Sequence, residues 1–436
     1  MTISQEHRQH AEDLIDFIDQ SPSPWHAVET LATRLQKEGF TPLDEKDRWT
    51  LSEGQKAYVI RGGSSLIAFQ IGSKAPAEVG FRIIGAHTDS PGLRIKPQGM
   101  DQQDHLVRLG VEVYGSPILA TYGDRDLSLA GRVTLQQGSQ LSHRLIRFEK
   151  PLLRLPNLAI HLNRHVNDEG LKLHLQTELP LLLGISSDQP EGFFLKLLAE
   201  ALSVSKDEVR SFELGVYDTQ AGGFWGANEE FIAHRQIDNL ASCHASLLAL
   251  LEHTNQRQTV VCAFFDHEEV GSQSYQGADG RFLSDLLERL HFTPDSRHHY
   301  PEDLHRSLAR SLLLSADGAH GFHPNFPTAF EPHHHVRINE GPALKLNVNQ
   351  RYATNGDGEA LFRHLLDRAK VPGQIYVHRS NLGCGSTIGP LSASRLGIPT
   401  LDCGAPMWAM HSIRESAGVL DQLWLKKLLA AFLSDG

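Results

Sequence analysis

The sequence predicts an α/β sandwich with a β-rich segment inserted into it, and three observations carry that prediction. Short, mainly apolar runs end in polar residues of catalytic type: 81–86 leads into His87, 260–265 into Asp266 and 312–316 into Asp317. Such runs suit strands of a sheet covered on both faces. Between them lie helical spacings, with Leu240, Leu247, Leu248 and Leu251 following Asp238, and Leu420, Leu423, Leu428 and Phe432 near the C-terminus. From about Gly92 to Gln236 the pattern changes to period two, as where Leu171, Leu173 and Leu175 alternate with Lys172, His174 and Gln176. Alternating strands and helices place ligands at strand ends.

Taken in order, the chain opens with an apolar stripe of Ala11, Leu14, Ile15 and Ile18. That helix ends at Ser21-Pro22, and a second starts with Ser23 as cap and Pro24 in its first position, ending before Gly39. The start lacks the cationic head and apolar run of a signal peptide. The longest apolar stretches, such as 179–185, fall well short of the roughly 20 residues that cross a bilayer. A length of 436 residues exceeds what one core usually holds, so two domains are expected: 1–91 with 237–436, and an insertion at 92–236. Hydrophobic residues at 40% and charged residues at 21% exclude disordered and coiled-coil classes. A net charge of −11 argues against a general nucleic-acid binder. Cys243, Cys262, Cys384 and Cys403 form no C-x-x-C pair, which suits a reducing, cytoplasmic compartment and leaves His, Asp and Glu to hold any metal.

His-x-acid triplets occur three times, at 10–12, 87–89 and 267–269, so the spacing alone carries little. His87-Thr88-Asp89 stands apart because it follows an apolar strand and precedes Ser90-Pro91-Gly92, which stops that strand. In that setting His87 reads as a metal ligand and Asp89 as the partner that fixes its tautomer; the ordinary alternative is a surface histidine beside an acid. Glu268 and Glu269 repel one another unless a cation sits nearby, one binding it and the other taking a proton from water; on a surface loop they would be a solvated charge run. Gly271 behind them permits a tight turn. Asp238 precedes a helix and is either its N-cap or a bridging ligand. With Asp317 and His411 the candidates comprise two imidazoles and three carboxylates, a set that suits Zn²⁺, with Mn²⁺ or Co²⁺ as replacements. Two histidine clusters, 298–299 and 333–335, read as loops, with a single ligand in the second as the alternative.

Seven segments, HTDSPGLRIKP (87–97), QIDNLAS (236–242), FDHEEVGS (265–272), SADGAHGFHPN (315–325), LKLNVNQRYATN (344–355), GCGSTIGP (383–390) and MHSIRE (410–415), resemble the aspartyl aminopeptidase family in their order. The resemblance spans nearly the whole chain. It implies a dinuclear zinc-peptidase α/β sandwich with a mixed central sheet and an inserted β-rich dimerisation domain. It further implies that His87 and Asp317 hold one metal, Glu269 and His411 the other, with Asp238 bridging, Glu268 as general base and Asp89 orienting His87. His161 is assigned to a neighbouring subunit's site and Lys345 to the pocket for an acidic side chain, with Arg351 and His334 as further candidates there. The family pattern has an acidic residue where this chain carries Asn381.

The expected activity is removal of Asp or Glu from the N-terminus of peptides by a homo-oligomer, a dodecamer built from dimers. Other dinuclear hydrolases on the same core, a general aminopeptidase, a carboxypeptidase or an N-acyl deacylase, are the near alternatives. A catalytically silent assembly module would show a damaged ligand set, and this one is complete. A serine hydrolase would need a G-x-S-x-G elbow, which Ser386 lacks.

Overall fold

Serine hydroxyls start the first two helices of the computed structural model. Ser4 accepts the His7 N–H and Ser23 the His26 N–H, each at 3.4 Å, opening Gln5–Asp19 and Pro24–Lys37. Ala11, Leu14, Phe17 and Ile18 form the buried stripe of the first helix. The structure describes residues 2–254, 256–291 and 301–435. The chain divides into two units, Met1–Asp89 with Gly222–Met410 and Glu415–Gly436, and Ser90–Ala221 with His411–Arg414.

The first unit is built on a nine-stranded mixed sheet. Its order is Thr41–Leu43, Lys56–Arg61, Ser65–Gln70, Thr259–Phe265, Phe81–His87, Leu312–Ala316, Thr400–Gly404, Ala343–Leu346 and Gln374–Val377. The four central strands from Thr259–Phe265 to Thr400–Gly404 run parallel, and antiparallel neighbours flank them. Alternate residues serve opposite faces. Ile84, Ala86, Cys262 and Phe264 join the core formed with helices Gln5–Asp19, Ile237–Leu251 and Val419–Leu433. Ile83, Val261, Ala263 and Phe265 join the one formed with Phe282–His291 and Ile388–Leu396. That two-sided burial is why the strands read as continuous apolar runs. Register sets Phe265 opposite His87 and Ser315 opposite Gly85, so three parallel strands release their polar residues at one sheet edge.

A smaller five-stranded sheet of the same unit joins Gly223–Trp225, Phe231–His234, Glu415–Gly418, Pro406–Trp408 and Ala319–His320. Because the first two of these strands pair there, the unit boundary falls at Ala221 and not at the 236 taken from sequence pattern.

The second unit holds a six-stranded antiparallel sheet, in the order Gln140–Arg147, Leu127–Gln137, Val209–Asp218, Gly92–Gln103, Leu106–Tyr114 and Leu181–Ile185. Helix Pro190–Leu202 buries Phe194 and Leu198 in its core. The alternation at 171–175 forms no strand. It lies in a mostly exposed stretch from 156 to 178, and it ends in a turn where Glu178 accepts the His174 N–H at 2.7 Å, with no neighbouring strand among the described residues to complete a ladder. Among the described residues, no helix is long and apolar enough to cross a membrane.

Candidate metal centre

The strand Phe81–His87 delivers His87 to its end with 1% of its surface exposed. Its Nδ1 lies 3.0 Å from the Asp89 carbonyl oxygen, an acceptor that only a protonated Nδ1 can satisfy. The other nitrogen, Nε2, therefore faces the acids: Asp238 Oδ1 at 3.5 Å, Glu268 Oε2 at 3.9 Å and Asp317 Oδ2 at 3.9 Å.

Asp89 is fully buried and does more than face the imidazole. Its Oδ1 accepts the Glu268 N–H and its Oδ2 the Glu269 N–H, both at 3.1 Å. Asp89 thus positions His87 chiefly through its carbonyl, and the backbone of both glutamates through its carboxylate. The 3₁₀ turn Glu268–Val270 that carries them closes at Gly271, whose φ of +97° is a left-handed conformation that glycine adopts without strain.

Asp238 is not a helix cap. The helix Ile237–Leu251 has Gln236 at its cap position and no side-chain cap bond, and Asp238 and Asn239 are non-helical. The peptide between them is cis. Glu415 accepts the Asp238 N–H at 3.0 Å, and Asn239 Nδ2 donates to the Ala316 carbonyl at 2.8 Å. The second bond ties this segment to Ala316, the last residue of the strand before Asp317, and the first ties it to the strand Glu415–Gly418.

Ligand atoms of His87, Asp238 and Glu269 all lie within 4.8 Å of one another. Burial, with the charges of Asp317, Asp89 and Asp238, pushes the Glu268 carboxyl up to about 8, against the pull of His87. Burial and Asp238 raise Glu269 well above the usual carboxylate range, and burial likewise raises Asp317 although Lys345 opposes it. For His87, burial acts to lower the pKa, but Asp238 and Asp89 outweigh it and raise the pKa well above the ordinary value. So many carboxylates around one imidazole and one ammonium form a site short of positive charge. The donor set, one histidine nitrogen and several carboxylate oxygens, is one that zinc accepts.

Lys345 is 2% exposed on the strand Ala343–Leu346. Its ammonium donates to the Gly318 carbonyl at 3.0 Å, lies 3.4 Å from Asp317 Oδ1 and sits 5.1 Å from the centre of the Tyr352 ring. Tyr376 packs against Tyr352, His320 lies 5.7 Å from the Tyr376 ring, and the Tyr376 hydroxyl is 2.6 Å from His378 Nδ1. Sequence reasoning did not single out these aromatic and imidazole neighbours of Lys345. His320 and Tyr352 do fall inside two of the quoted segments.

His87, Asp89, Asp238, Glu268, Glu269, Asp317 and Lys345 are therefore gathered in the first unit. His334 belongs to that unit but pairs with Glu331, its Nδ1 2.5 Å from Oε2. Arg351 is exposed. His411 and His161 lie in the second unit. There His411 Nδ1 is 3.1 Å from the Ser116 carbonyl oxygen, and His161 sits in an exposed turn. Asn381 accepts from Arg379 Nε at 2.7 Å. Ser386 donates to the Arg351 carbonyl at 3.2 Å, a loop contact. His298 and His299 lie outside the described residues.

The family described as aminopeptidase I zinc metalloprotease (M18) matches residues 17–433. The chain belongs to this family. It is 48% identical over 425 residues to a probable M18 family aminopeptidase 2 of Azotobacter vinelandii, covering 97% of each chain. Among solved structures, the Ape4 and Nbr1 complex determined by cryo-EM contains a similar chain, with a TM-score of 0.95 and 36% identity, covering 100% of this chain and 88% of that one. The mApe1 dodecamer of S. cerevesiae matches with a TM-score of 0.86 and 29% identity, covering 98% and 97%. As an M18 member the protein is a hydrolase, a zinc metalloaminopeptidase.

Proposed function

We propose that this M18 aminopeptidase removes acidic first residues from peptides and works with two zinc ions per chain. The observation that carries the substrate reading is Lys345, an ammonium buried beside the carboxylate cluster and held from below by an aromatic ring. Keeping an ammonium out of water is costly, and a substrate carboxylate entering beside it offsets that cost with charge-assisted hydrogen bonds.

His87, Asp238, Glu269 and Asp317 would hold the metal, with His411 as a fifth ligand on the strength of its MHSIRE motif alone. Zinc held there would supply Lewis acidity, acidifying water toward neutrality and offering positive charge to a developing oxyanion. Glu268, kept free of ligand duty, takes the proton of the attacking water and returns it to the departing amine. Asp89 holds Glu268 in place through the backbone while keeping His87 in the tautomer that presents Nε2. The substrate's free amine meets the remaining carboxylate charge, which restricts cleavage to the chain end.

Assembly through the second unit is part of the same reading. Leu158, Ile160 and Leu162 are 61%, 47% and 76% exposed on either side of His161, an apolar stretch that a second copy would cover. The dodecameric mApe1 is a precedent for a closed assembly. Four unpaired cysteines suit a reducing cytoplasm. The test is zinc content per chain, measured together with cleavage of Asp-, Glu-, Leu- and N-acylated peptides. Two zinc ions and a preference for Asp or Glu are expected. Equal rates on Leu peptides would make it a general aminopeptidase, and activity confined to acylated peptides a deacylase.

A further inference from the structure

One buried carboxylate ties together two loops, one of which carries Tyr352 beneath Lys345. Asp402, on the strand Thr400–Gly404, is fully buried. Its Oδ1 accepts from the Thr387 hydroxyl and its Oδ2 from the Ala353 N–H, both at 2.6 Å, while its own N–H donates to Thr354 Oγ1 at 2.9 Å. Thr387 caps the helix Ile388–Leu396. Glycine at 389 makes room for the carboxylate, since a Cβ there would come within 2.4 Å of both oxygens.

The loops so anchored are otherwise open to water. Residues 348–351 are exposed, as are 380–383, 385 and 386, whereas Tyr352, Thr354 and Thr387 are buried. Tyr352 is bracketed: the carbonyl of Arg351 before it accepts from Ser386, and the N–H of Ala353 after it goes to Asp402. Its ring is the surface on which the Lys345 ammonium rests. A shift of the 351–354 backbone would therefore move the support of the ammonium.

We propose that Asp402 is a positioning residue for first-residue selectivity: by clamping Ala353 and Thr387 it holds Tyr352 under Lys345 and so fixes where the ammonium meets an acidic side chain. This rests on the reading of Lys345 as the acidic-residue contact. Asp402 touches neither substrate nor metal. A buried carboxylate that accepts from two loops joins them strongly, and removing it takes away the acceptor of the Ala353 N–H and of the Thr387 hydroxyl proton.

Steady-state kinetics on an Asp-peptide and a matched Leu-peptide test this with Asp402→Asn, Thr387→Val and the conservative Thr387→Ser. Asp402→Asn and Thr387→Val should lower the acidic-to-neutral ratio of kcat/KM by about tenfold, as expected for one charge-assisted hydrogen bond. Most of that loss should lie in KM for the Asp-peptide, and Thr387→Ser should restore the wild-type ratio. Thr387→Val keeps the volume of the side chain, so it serves even if Asp402→Asn fails to fold. Wild-type preference for the Asp-peptide that persists unchanged in Thr387→Val overturns the proposal alone. Wild-type enzyme that treats both peptides equally overturns the Lys345 reading, and this proposal with it.

Discussion

Replacing Asp89 with Asn removes one oxygen from a residue whose two carboxylate oxygens are both in use. The carboxylate accepts the Glu268 and Glu269 N–H groups on separate oxygens, and Oδ1 also lies 3.4 Å from His87 Nδ1. An amide can keep one of those backbone bonds, but its NH₂ then faces the other N–H, donor against donor. The lost charge-assisted bond is worth ~1.5–3 kcal/mol and the stranded buried N–H a further ~1–3 kcal/mol. The turn can relax to recover part of this, and that relaxation carries Glu268 and Glu269 with it. Changes to residues that orient metal ligands typically cost about 10- to 100-fold in affinity or activity. Because Asp89 contacts His87, Glu268 and Glu269, the proposed base and two proposed ligands, the upper end of that range is expected. The assay is kcat and kcat/KM on an Asp-peptide, with zinc affinity from competition against a chelator. Asp89→Asn enzyme with wild-type turnover and wild-type zinc retention would refute the argument that this carboxylate organises the centre.

Glu268→Gln should retain its zinc yet lose about two to four orders of magnitude in turnover, the usual scale of a general base; full activity would remove Glu268 from that role. Mixing inactive Glu268→Gln chains with inactive His161→Ala chains under conditions of subunit exchange should partly restore activity, and no recovery despite confirmed exchange would deny His161 a place in a neighbour's site. A stability prediction concerns Asp13, 2.6 Å from His244 Nε2 and 2.8 Å from Arg34. Burial acts to raise its pKa, but the hydrogen bonds from His244 and Arg34 outweigh that and hold it well below the usual range. A depressed carboxyl pKa stabilises the fold above the unfolded value near 4 and loses that contribution as pH falls toward the folded value. Asp13→Asn should therefore cost about 1 kcal/mol at pH 7, after screening at a half-exposed site, with the gap to wild type narrowing below about pH 4 in denaturant titrations. A gap independent of pH would contradict the assignment.

The sheet was legible because its central strands are covered on both faces, which leaves a mainly apolar signature at 81–86, 260–265 and 312–316 ending in the site's polar residues. The period-two pattern at 171–175 misled because alternation is a property of one segment, whereas a strand also needs a neighbour, and this stretch has none. Asp238 could be read as a cap or a ligand from its position alone. Only the fold, by putting Gln236 at the cap position and Asp238 beside His87, removes the cap reading. Lys345 was reached through the family resemblance, but its contacts with Asp317, Gly318 and Tyr352 come from two other stretches of chain. Glu415 and Asp402 escaped notice for a related reason: they act on backbone N–H groups far away in sequence, a task that leaves no motif at the residue served.

The most direct test of the acidic-residue reading is Lys345→Ala assayed on paired Asp- and Leu-peptides. Because the ammonium also supports Asp317, both activities should fall, so the ratio between them is the informative quantity. A desolvated charge-assisted contact of ~1.5–3 kcal/mol corresponds to about 10- to 100-fold, and the acidic-to-neutral ratio of kcat/KM is predicted to drop by that factor. An unchanged ratio would make Lys345 a support for Asp317 alone and would contradict the proposed specificity.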